Sequence, residues 1–300
     1  MRHASWGLEQ GDLLAPGRHV VRALGGGSAY EVFLVWDEGY HALMVAKAVR
    51  PDRVGDARTI KDLRREGDAL AALGHPMIVR GYEVDPDPPR PHLLIEHVEG
   101  PSLHDLLARH GRLALEQLLP PAINVAGALH FMASRGYVHL DVKPANIIMS
   151  APPRLIDLSL ARTLGRAARL TGIVGTDAYM APEQCGVGGD RVMPGRVGPP
   201  ADVWGLGATL HHALSGSRPF PRPKDARASE DLRVRFPQLH REPGPLPDWL
   251  PEPVSALVAD MLEFVPERRP QAGDVVARLE PVVAELPMRM KPAKSGSRRA

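Results

Sequence analysis

The chain runs to 300 residues, 44% of them hydrophobic, with 37 lysines and arginines against 35 acidic residues for a net charge of +2. That apolar content can bury a sizeable core, in one large domain or two smaller lobes, and it excludes disorder as the default. The near balance of charge leaves no domain-wide field to draw in nucleic acid, while the single cysteine, Cys185, excludes an intrachain disulfide or a cysteine-rich zinc site and fits a reducing, cytoplasmic setting.

No apolar run follows Arg2, so no signal peptide is expected, and residues 1–12 read as an extension. From Val20 to Val98 the apolar clusters are short and broken by turns, predicting strands at Val20-Val21, residues 32–35, residues 43–46, Ile78-Val79 and residues 93–95. Between them Ile60, Leu63, Leu70 and Leu73 recur at helical spacing, interrupted by Gly67, which weakens a helix by about 1 kcal/mol relative to alanine. Residues 13–98 are therefore expected to form a sheet with one helix.

After Gly100-Pro101-Ser102 the apolar period lengthens, with Ser102 as the N-cap of a helix carrying Leu103, Leu106 and Leu107. The longest uncharged stretch, residues 118–134, includes Pro120, Pro121, Asn124 and His130 and falls short of the roughly 20 apolar residues that cross a bilayer, so it predicts a core helix and no membrane partner. Residues 201–214 are apolar nearly all round, as in a buried helix, and Gly216 should end it. Residues 186–200 and 218–247, rich in Pro, Gly and Arg, predict long surface loops. Two closing helices follow at residues 254–264 and 274–286, giving a second, mainly helical unit over 99–286. The tail 287–300 carries Arg289, Lys291, Lys294, Arg298 and Arg299 without an acid, the composition of a solvated, disordered run.

The chemistry gathers at a few points along this frame. Leu24-Gly25-Gly26-Gly27 places a glycine-rich turn between two predicted strands, where backbone N–H groups can approach phosphate oxygens; ordinary hairpins use the same residues. Val32 would lie under that turn. Lys47, at the end of the strand Met44-Val45-Ala46-Lys47, either snorkels to solvent or is held inward by a partner such as Glu66 on the predicted helix. In His139-Leu140-Asp141-Val142-Lys143-Pro144-Ala145-Asn146 the proline stops helix continuation, so Asp141 and Lys143 can project from a loop into one cleft. Asp141 would accept a hydroxyl proton, and Lys143 would offset charge on a transferred phosphoryl group. Asn146 and Asp157 offer hard oxygens suited to Mg²⁺, with Mn²⁺ as an alternative. A base, a cation and two metal-facing groups make the inventory of phosphoryl transfer from a nucleotide.

In this order the residues resemble the eukaryotic-like Ser/Thr protein kinase domain, a type also common in bacteria, over residues 24–286. The matches are Gly25 to Gly27 with Val32, Ala46-Lys47, Glu66, His75-Pro76, residues 95–100, residues 139–146, Asp157, Gly175-Thr176, Ala181-Pro182-Glu183, Asp202-Val203-Trp204 and Arg269-Pro270. The resemblance implies a bilobal α+β fold with a β-rich N-lobe and a helical C-lobe, and ATP as phosphoryl donor. It implies a hinge at Glu96 to Val98 whose backbone holds adenine, a gatekeeper at Ile95, Ile148 and Ala46 among the nucleotide-lining residues, an ion pair between Glu183 and Arg269, and a loop-anchoring role for Asp202. Lys143 with Gly175-Thr176 is similar to the branch that acts on serine and threonine, so protein substrates with those acceptors are implied. Self-association would give a route to autophosphorylation.

Three positions depart from the pattern. Leu140 stands where the family has the arginine that receives an activation-segment phosphate, so that switch is expected to be disconnected, although Thr163, Thr171 and Thr176 are available hydroxyls. Leu158-Ser159 replaces Phe-Gly, giving up a glycine's access to positive φ. Tyr30 replaces a third glycine. Two other readings remain: a nucleotide-binding pseudokinase or scaffold, and a small-molecule phosphotransferase, which would lack the Ala-Pro-Glu element. Cys185 reads as an inert thiol, and His139 as a support of the loop rather than a base.

Overall fold

The computed structural model describes residues 3–186, 196–223, 225–229 and 231–287. The basic tail beyond residue 287 and most of the segment 186–200 lie outside them. A six-stranded antiparallel sheet forms the first part, in the order β1-β2-β3-β4-β6-β5: β1 Leu13–Ala15, β2 Arg18–Gly26, β3 Tyr30–Asp37, β4 Ala42–Val49, β5 Gly81–Asp85 and β6 His92–Glu96. Alternation decides which face is buried. Phe33 and Val35 of β3, Met44, Ala46 and Ala48 of β4, and Leu94 of β6 share one face and pack with Leu14 and Val20.

The opposite face meets α1 (Ala57–Ala72), which Asp56 caps by accepting from Arg58 N. The chain tolerates Gly67 inside this helix for a packing reason: a Cβ there would lie 2.1 Å from Val84 Cγ2 on β5. The glycine therefore lets α1 close on the sheet, and this brings the neighbouring Glu66 within reach of β4.

The remainder is mainly helical. Ser102 and Asp105 form a capping box on α2 (Leu103–His110), each side chain satisfying the other's backbone N–H. The long α3 (Leu115–Ser134) packs against both α5 (Pro199–Ser215) and α8 (Ala272–Glu285), and α7 (Glu252–Met261) packs on α5. Two short antiparallel pairs hold the loops between lobes. β7 (Tyr137–Val138) pairs with β10 (Arg162–Thr163), and β8 (Ile147–Ile148) pairs with β9 (Arg154–Leu155). Residues 139–146 are thus slung between β7 and β8, and Asp157 lies two residues past the end of β9. This is the bilobal α+β arrangement expected from the sequence.

Two elements differ from expectation. Ile78-Val79 is not a strand: Ile78 makes a single parallel bridge to Leu155, backed by Val79 N donating to Leu155 O at 3.0 Å, and the strand proper begins at Gly81. The apolar pair is buried because it ties the sheet region to β9 rather than because it lies in the sheet. Residues 218–247 are not simply surface loop. They include the short helix α6 (Leu232–Arg235) and the buried Phe220, Ala226, Phe236 and Gln238, with Phe236 packing on Met180 and Cys185. The short helix α4 (Leu164–Ala167) follows β10.

Candidate active site

At one end of the cleft, β2 runs out in Gly25 (φ 121°) and Gly26 (φ 151°). A Cβ on Gly26 would sit 2.4 Å from Tyr30 O, so only glycine fits the hairpin, which Gly27 N closes on Tyr30 O at 3.0 Å. Leu24 is exposed beside it. Strand register aligns Gly25, Val32, Lys47 and Leu93 in one row across β2, β3, β4 and β6. Lys47 Nζ lies 2.8 and 3.1 Å from the two oxygens of Glu66 and 3.2 Å from Asp157 Oδ1. Burial works against the ammonium charge, but these two carboxylates outweigh it and raise the Lys47 pKa.

Tyr30 takes part in this arrangement. Its hydroxyl donates to Thr59 O on α1 at 3.1 Å, and Lys47 Nζ lies 4.9 Å from its ring centroid. Burial pushes the phenol up to about 12, so it stays a donor at neutral pH. The residue standing where the family has glycine joins the turn to the helix that carries Glu66.

Ala46 is a correction. Fully buried, it faces the sheet's inner cluster with Phe33 and Leu94, on the opposite side of β4 from Lys47. Strand parity puts Val45, not Ala46, on the face of Lys47, where it pairs with Ile95. Ile95 and Glu96 end β6. Glu96 N donates to Arg80 O at 2.9 Å, and its carboxylate accepts from Arg80 N at 3.2 Å with Arg154 3.6 Å away. Val98 and Ile148 are half-buried, Ile148 lying opposite Arg154 in the β8–β9 pair.

Asp157 adopts a left-handed conformation (φ 64°, ψ 78°). Burial opposes its ionisation, but Lys47 and a hydrogen bond from the Ser159 side chain hold the carboxyl well below the usual carboxylate range. Leu158 is fully buried, and Ser159 lies in a short 3₁₀ turn. The positive φ falls on Asp157, so serine in place of glycine brings no strain here. Ser159 O instead accepts from Arg65 at 3.0 Å and Arg162 at 3.2 Å.

At the other end, Asp141 is buried and each of its oxygens is engaged. Thr176 Oγ1 donates to Oδ1 at 2.7 Å; Lys143 Nζ (2.5 Å) and Asn146 Nδ2 (3.2 Å) donate to Oδ2. Lys143 also donates to Thr176 Oγ1 at 2.8 Å, and Asn146 Nδ2 to Asp141 O at 2.9 Å. Thr176 is thus not a free hydroxyl, because it is committed to the loop it faces. Asp141 N donates to His139 Nδ1 at 3.3 Å while His139 Nε2 meets Ile156 O at 3.3 Å, a pair of contacts that requires the Nε2–H tautomer. His139 supports the loop.

Leu140 has φ 67°, uncommon for a branched residue, and its side chain is 2% exposed. Three bonds hold it there. Asp202, in the first turn of α5, accepts from His139 N and Leu140 N, both at 2.7 Å, and Gln184 Nε2 donates to Leu140 O at 3.0 Å. Gln184 also donates to Val174 O at 2.8 Å and accepts from Ala181 N at 3.1 Å. One buried amide thereby joins the catalytic loop to both ends of the segment carrying Thr176.

Two further anchors fix that segment. Arg269 makes a bidentate, fully buried pair with Glu183 at 2.7 and 2.9 Å, its guanidinium 4.9 Å from the Trp204 ring centroid. Asp177 receives Arg222 at 2.9 Å and Arg235 at 3.0 and 3.1 Å. Burial opposes its charge, but the two arginines lower its pKa. Neither Gln184 nor Asp177 carries a sequence signal of its role, since Leu140 lies 44 residues from Gln184 and the arginines 45 and 58 residues from Asp177. Burial pushes the Cys185 thiol up, as befits an inert cysteine. His211 bonds Gly244 O and His212 bonds the Tyr179 hydroxyl, and among the described residues no three His, Cys, Asp or Glu side chains form a metal cluster.

Among the described residues, no helix is long and apolar enough to cross a membrane. The family described as the protein kinase domain matches residues 18–279. Serine/threonine-protein kinase PknB of Mycobacterium tuberculosis is 30% identical over 265 residues, covering 83% of this chain and 40% of that protein. The probable serine/threonine-protein kinase PkwA of Thermomonospora curvata is 30% identical over 279 residues, covering 91% of this chain and 35% of its own length. Calcium-dependent protein kinase 9 of Oryza sativa is 29% identical over 261 residues, covering 85% and 44%. The chain therefore spans less than half the length of these relatives. A domain match over most of the chain, on a fold that joins Lys47 to Glu66 and Asp157 and sets Asp141 against Asn146, makes this chain a member of the protein kinase family, of the Ser/Thr type found in bacteria.

Proposed function

We propose that the chain is an ATP-dependent kinase acting in the cytoplasm on serine and threonine hydroxyls of proteins. The observation that carries this reading is the hydrogen-bonded group Asp141, Lys143, Asn146 and Thr176, tied through the Ile156 N–H to Asn146 O bond at 2.9 Å to the segment that carries Asp157 of the charged group Lys47, Glu66 and Asp157. Lys47, fixed by Glu66, presents a compact cation to the α- and β-phosphates. Asp141 orients the acceptor hydroxyl and takes its proton as the new O–P bond forms. The bond from the γ-phosphorus to the bridging oxygen breaks, and its electron pair leaves with ADP. Lys143 offsets the charge on the transferred group.

The donor set also fits a divalent cation. Asp157 is ionised and about one-third of its side chain is exposed, and the Asn146 amide nitrogen is committed to Asp141, which leaves its carbonyl oxygen. Mg²⁺, or Mn²⁺, held by these two residues would complete its shell with phosphates and water and offset phosphate charge.

Phosphorylation of the activation segment is not required in this reading. Leu140 offers a phosphate nothing, and the bonds of Gln184 and Thr176 hold the loop without one. Phosphatase-treated protein should retain activity within about threefold, and a large loss would remove this part of the proposal. With radiolabelled ATP and a generic protein acceptor, Asp141→Asn should lower incorporation by about 10²- to 10⁴-fold. Equal signals from both proteins would favour a nucleotide-binding scaffold instead.

A further inference from the structure

Residues 4–6 precede the matched domain and take no part in the chemistry above, yet they are bonded into the base of the glycine-rich turn. The Trp6 indole N–H donates to Val49 O at 2.8 Å, and its ring lies 5.1 Å from the guanidinium of Arg90. Ser5 Oγ donates to Glu31 Oε1 at 2.6 Å, and Trp6 N to Glu31 Oε2 at 2.9 Å, so both carboxylate oxygens are taken by this segment. Glu31 is 8% exposed and lies opposite Gly26 in the β2–β3 register. Beside it, Arg50 reaches in two directions. Its NH1 donates to Ala4 O at 2.7 Å and lies 3.4 Å from Glu31 Oε1, while its Nε donates to Gly27 O at 2.7 Å.

A turn built on consecutive glycines has the largest conformational entropy to lose when it orders around a ligand. Fixing one of its peptide groups beforehand reduces that loss and strengthens binding by preorganisation. A Gly27 carbonyl committed to Arg50 is also kept from turning toward phosphate oxygens, which it would repel. The guanidinium can hold it only while its own position is set, and that is done by Ala4 O and by a Glu31 whose oxygens are fixed by Ser5 and Trp6.

We propose that residues 4–6, acting through Glu31 and Arg50, form a strap that positions the glycine-rich turn for ATP, with Arg50 as the positioning residue. The inference rests on the reading that this turn holds nucleotide phosphates. The test uses the full chain, with a Ser5→Ala, Trp6→Ala double variant and the single variants Arg50→Met and Arg50→Lys. Dissociation constants are read by ATP displacement of a fluorescent ATP analogue, alongside KM for ATP, kcat and melting temperature. The double variant and Arg50→Met should raise both Kd and KM for ATP about three- to tenfold, with kcat at saturating ATP within about twofold of wild type. Arg50→Lys, which keeps one donor, should recover part of the loss. A lower melting temperature with unchanged Kd in the double variant would reduce the strap to a brace of the fold and overturn the proposal; that variant decides alone if Arg50→Met does not fold. Wild-type protein that binds no nucleotide would end the kinase reading itself, whereas wild-type binding matched by the variants would sink only the strap.

Discussion

The two ends of the cleft are held by different physics. At the nucleotide end, Lys47 lies between Glu66 and Asp157, a charged set in which Glu66 is 2% exposed and the lysine carries both carboxylates. At the acceptor end, Asp141 has one ion pair, with Lys143, and is otherwise placed by hydrogen bonds from Thr176 and Asn146, and the strained Leu140 before it is held by Asp202 and an uncharged glutamine. In the proposed reading, the clustered charges at the first end suit a ligand that is itself highly charged, and the hydrogen bonds at the second suit a neutral hydroxyl that must be aimed. A phosphate receptor would have made the acceptor end switchable; in the proposed reading, leucine in its place leaves the geometry built in.

The strongest way to break this contrast is at the charged end. Asp157→Asn leaves Glu66 to hold Lys47, so the fold should survive while kcat falls about 10³-fold or more, as loss of an anionic phosphate-side group predicts. Near-normal turnover would show that the charged set is structural. Next in size is Arg269→Met, which strands Glu183 in a site where both side chains are almost wholly buried. Removing one partner of such a pair costs about 3 kcal/mol or more, to be read by urea unfolding.

Gln184→Met sharpens the comparison more finely, because it keeps shape and removes the bonds. Leu140 O and Val174 O would each lose a donor, so kcat should drop roughly tenfold while the Kd for ATP stays at the wild-type value. An equal loss in nucleotide affinity would mean that the two ends are not separable.

How much of this could be seen in the chain depends on the range of each contact. Lys47, Asp141, Asn146 and Asp157 are legible because each is marked locally, by a strand end, by Pro144 or by an adjacent turn. Glu66 follows from helical period. The resemblance counts Ala46 among the nucleotide-lining residues, but adjacent strand residues point oppositely, so Val45 rather than Ala46 shares the face of Lys47. The roles of Gln184 and Asp177 were not legible, since one bonds across 44 residues and the other across 45 and 58. Composition also misled at residues 218–247, where Pro and Arg suggest solvent, yet Phe236 is fully buried on Met180 and Cys185.

The smallest expected effect separates the two ends by pH. His212 Nδ1 accepts from the Tyr179 hydroxyl at 2.8 Å, and burial together with Arg218 lowers the imidazole to about 4. Its ordinary value is about 6.5, so between these pH values the unfolded chain binds a proton that the folded chain does not. Stability must therefore fall as pH drops from 6.5 toward 4, with no contribution to the slope above or below that window. The imidazole is only partly buried, so solvent screening keeps the effect modest. His212→Gln should flatten the corresponding part of the melting temperature against pH. Asp157, held below the ordinary carboxylate range by Lys47, keeps its charge across the same interval, so ATP affinity at low salt should lose little between pH 7 and 5 from protonation of Asp157. A melting temperature that declines while nucleotide binding holds would place acid sensitivity at the acceptor end; parallel decline in both would tie the ends together through the fold.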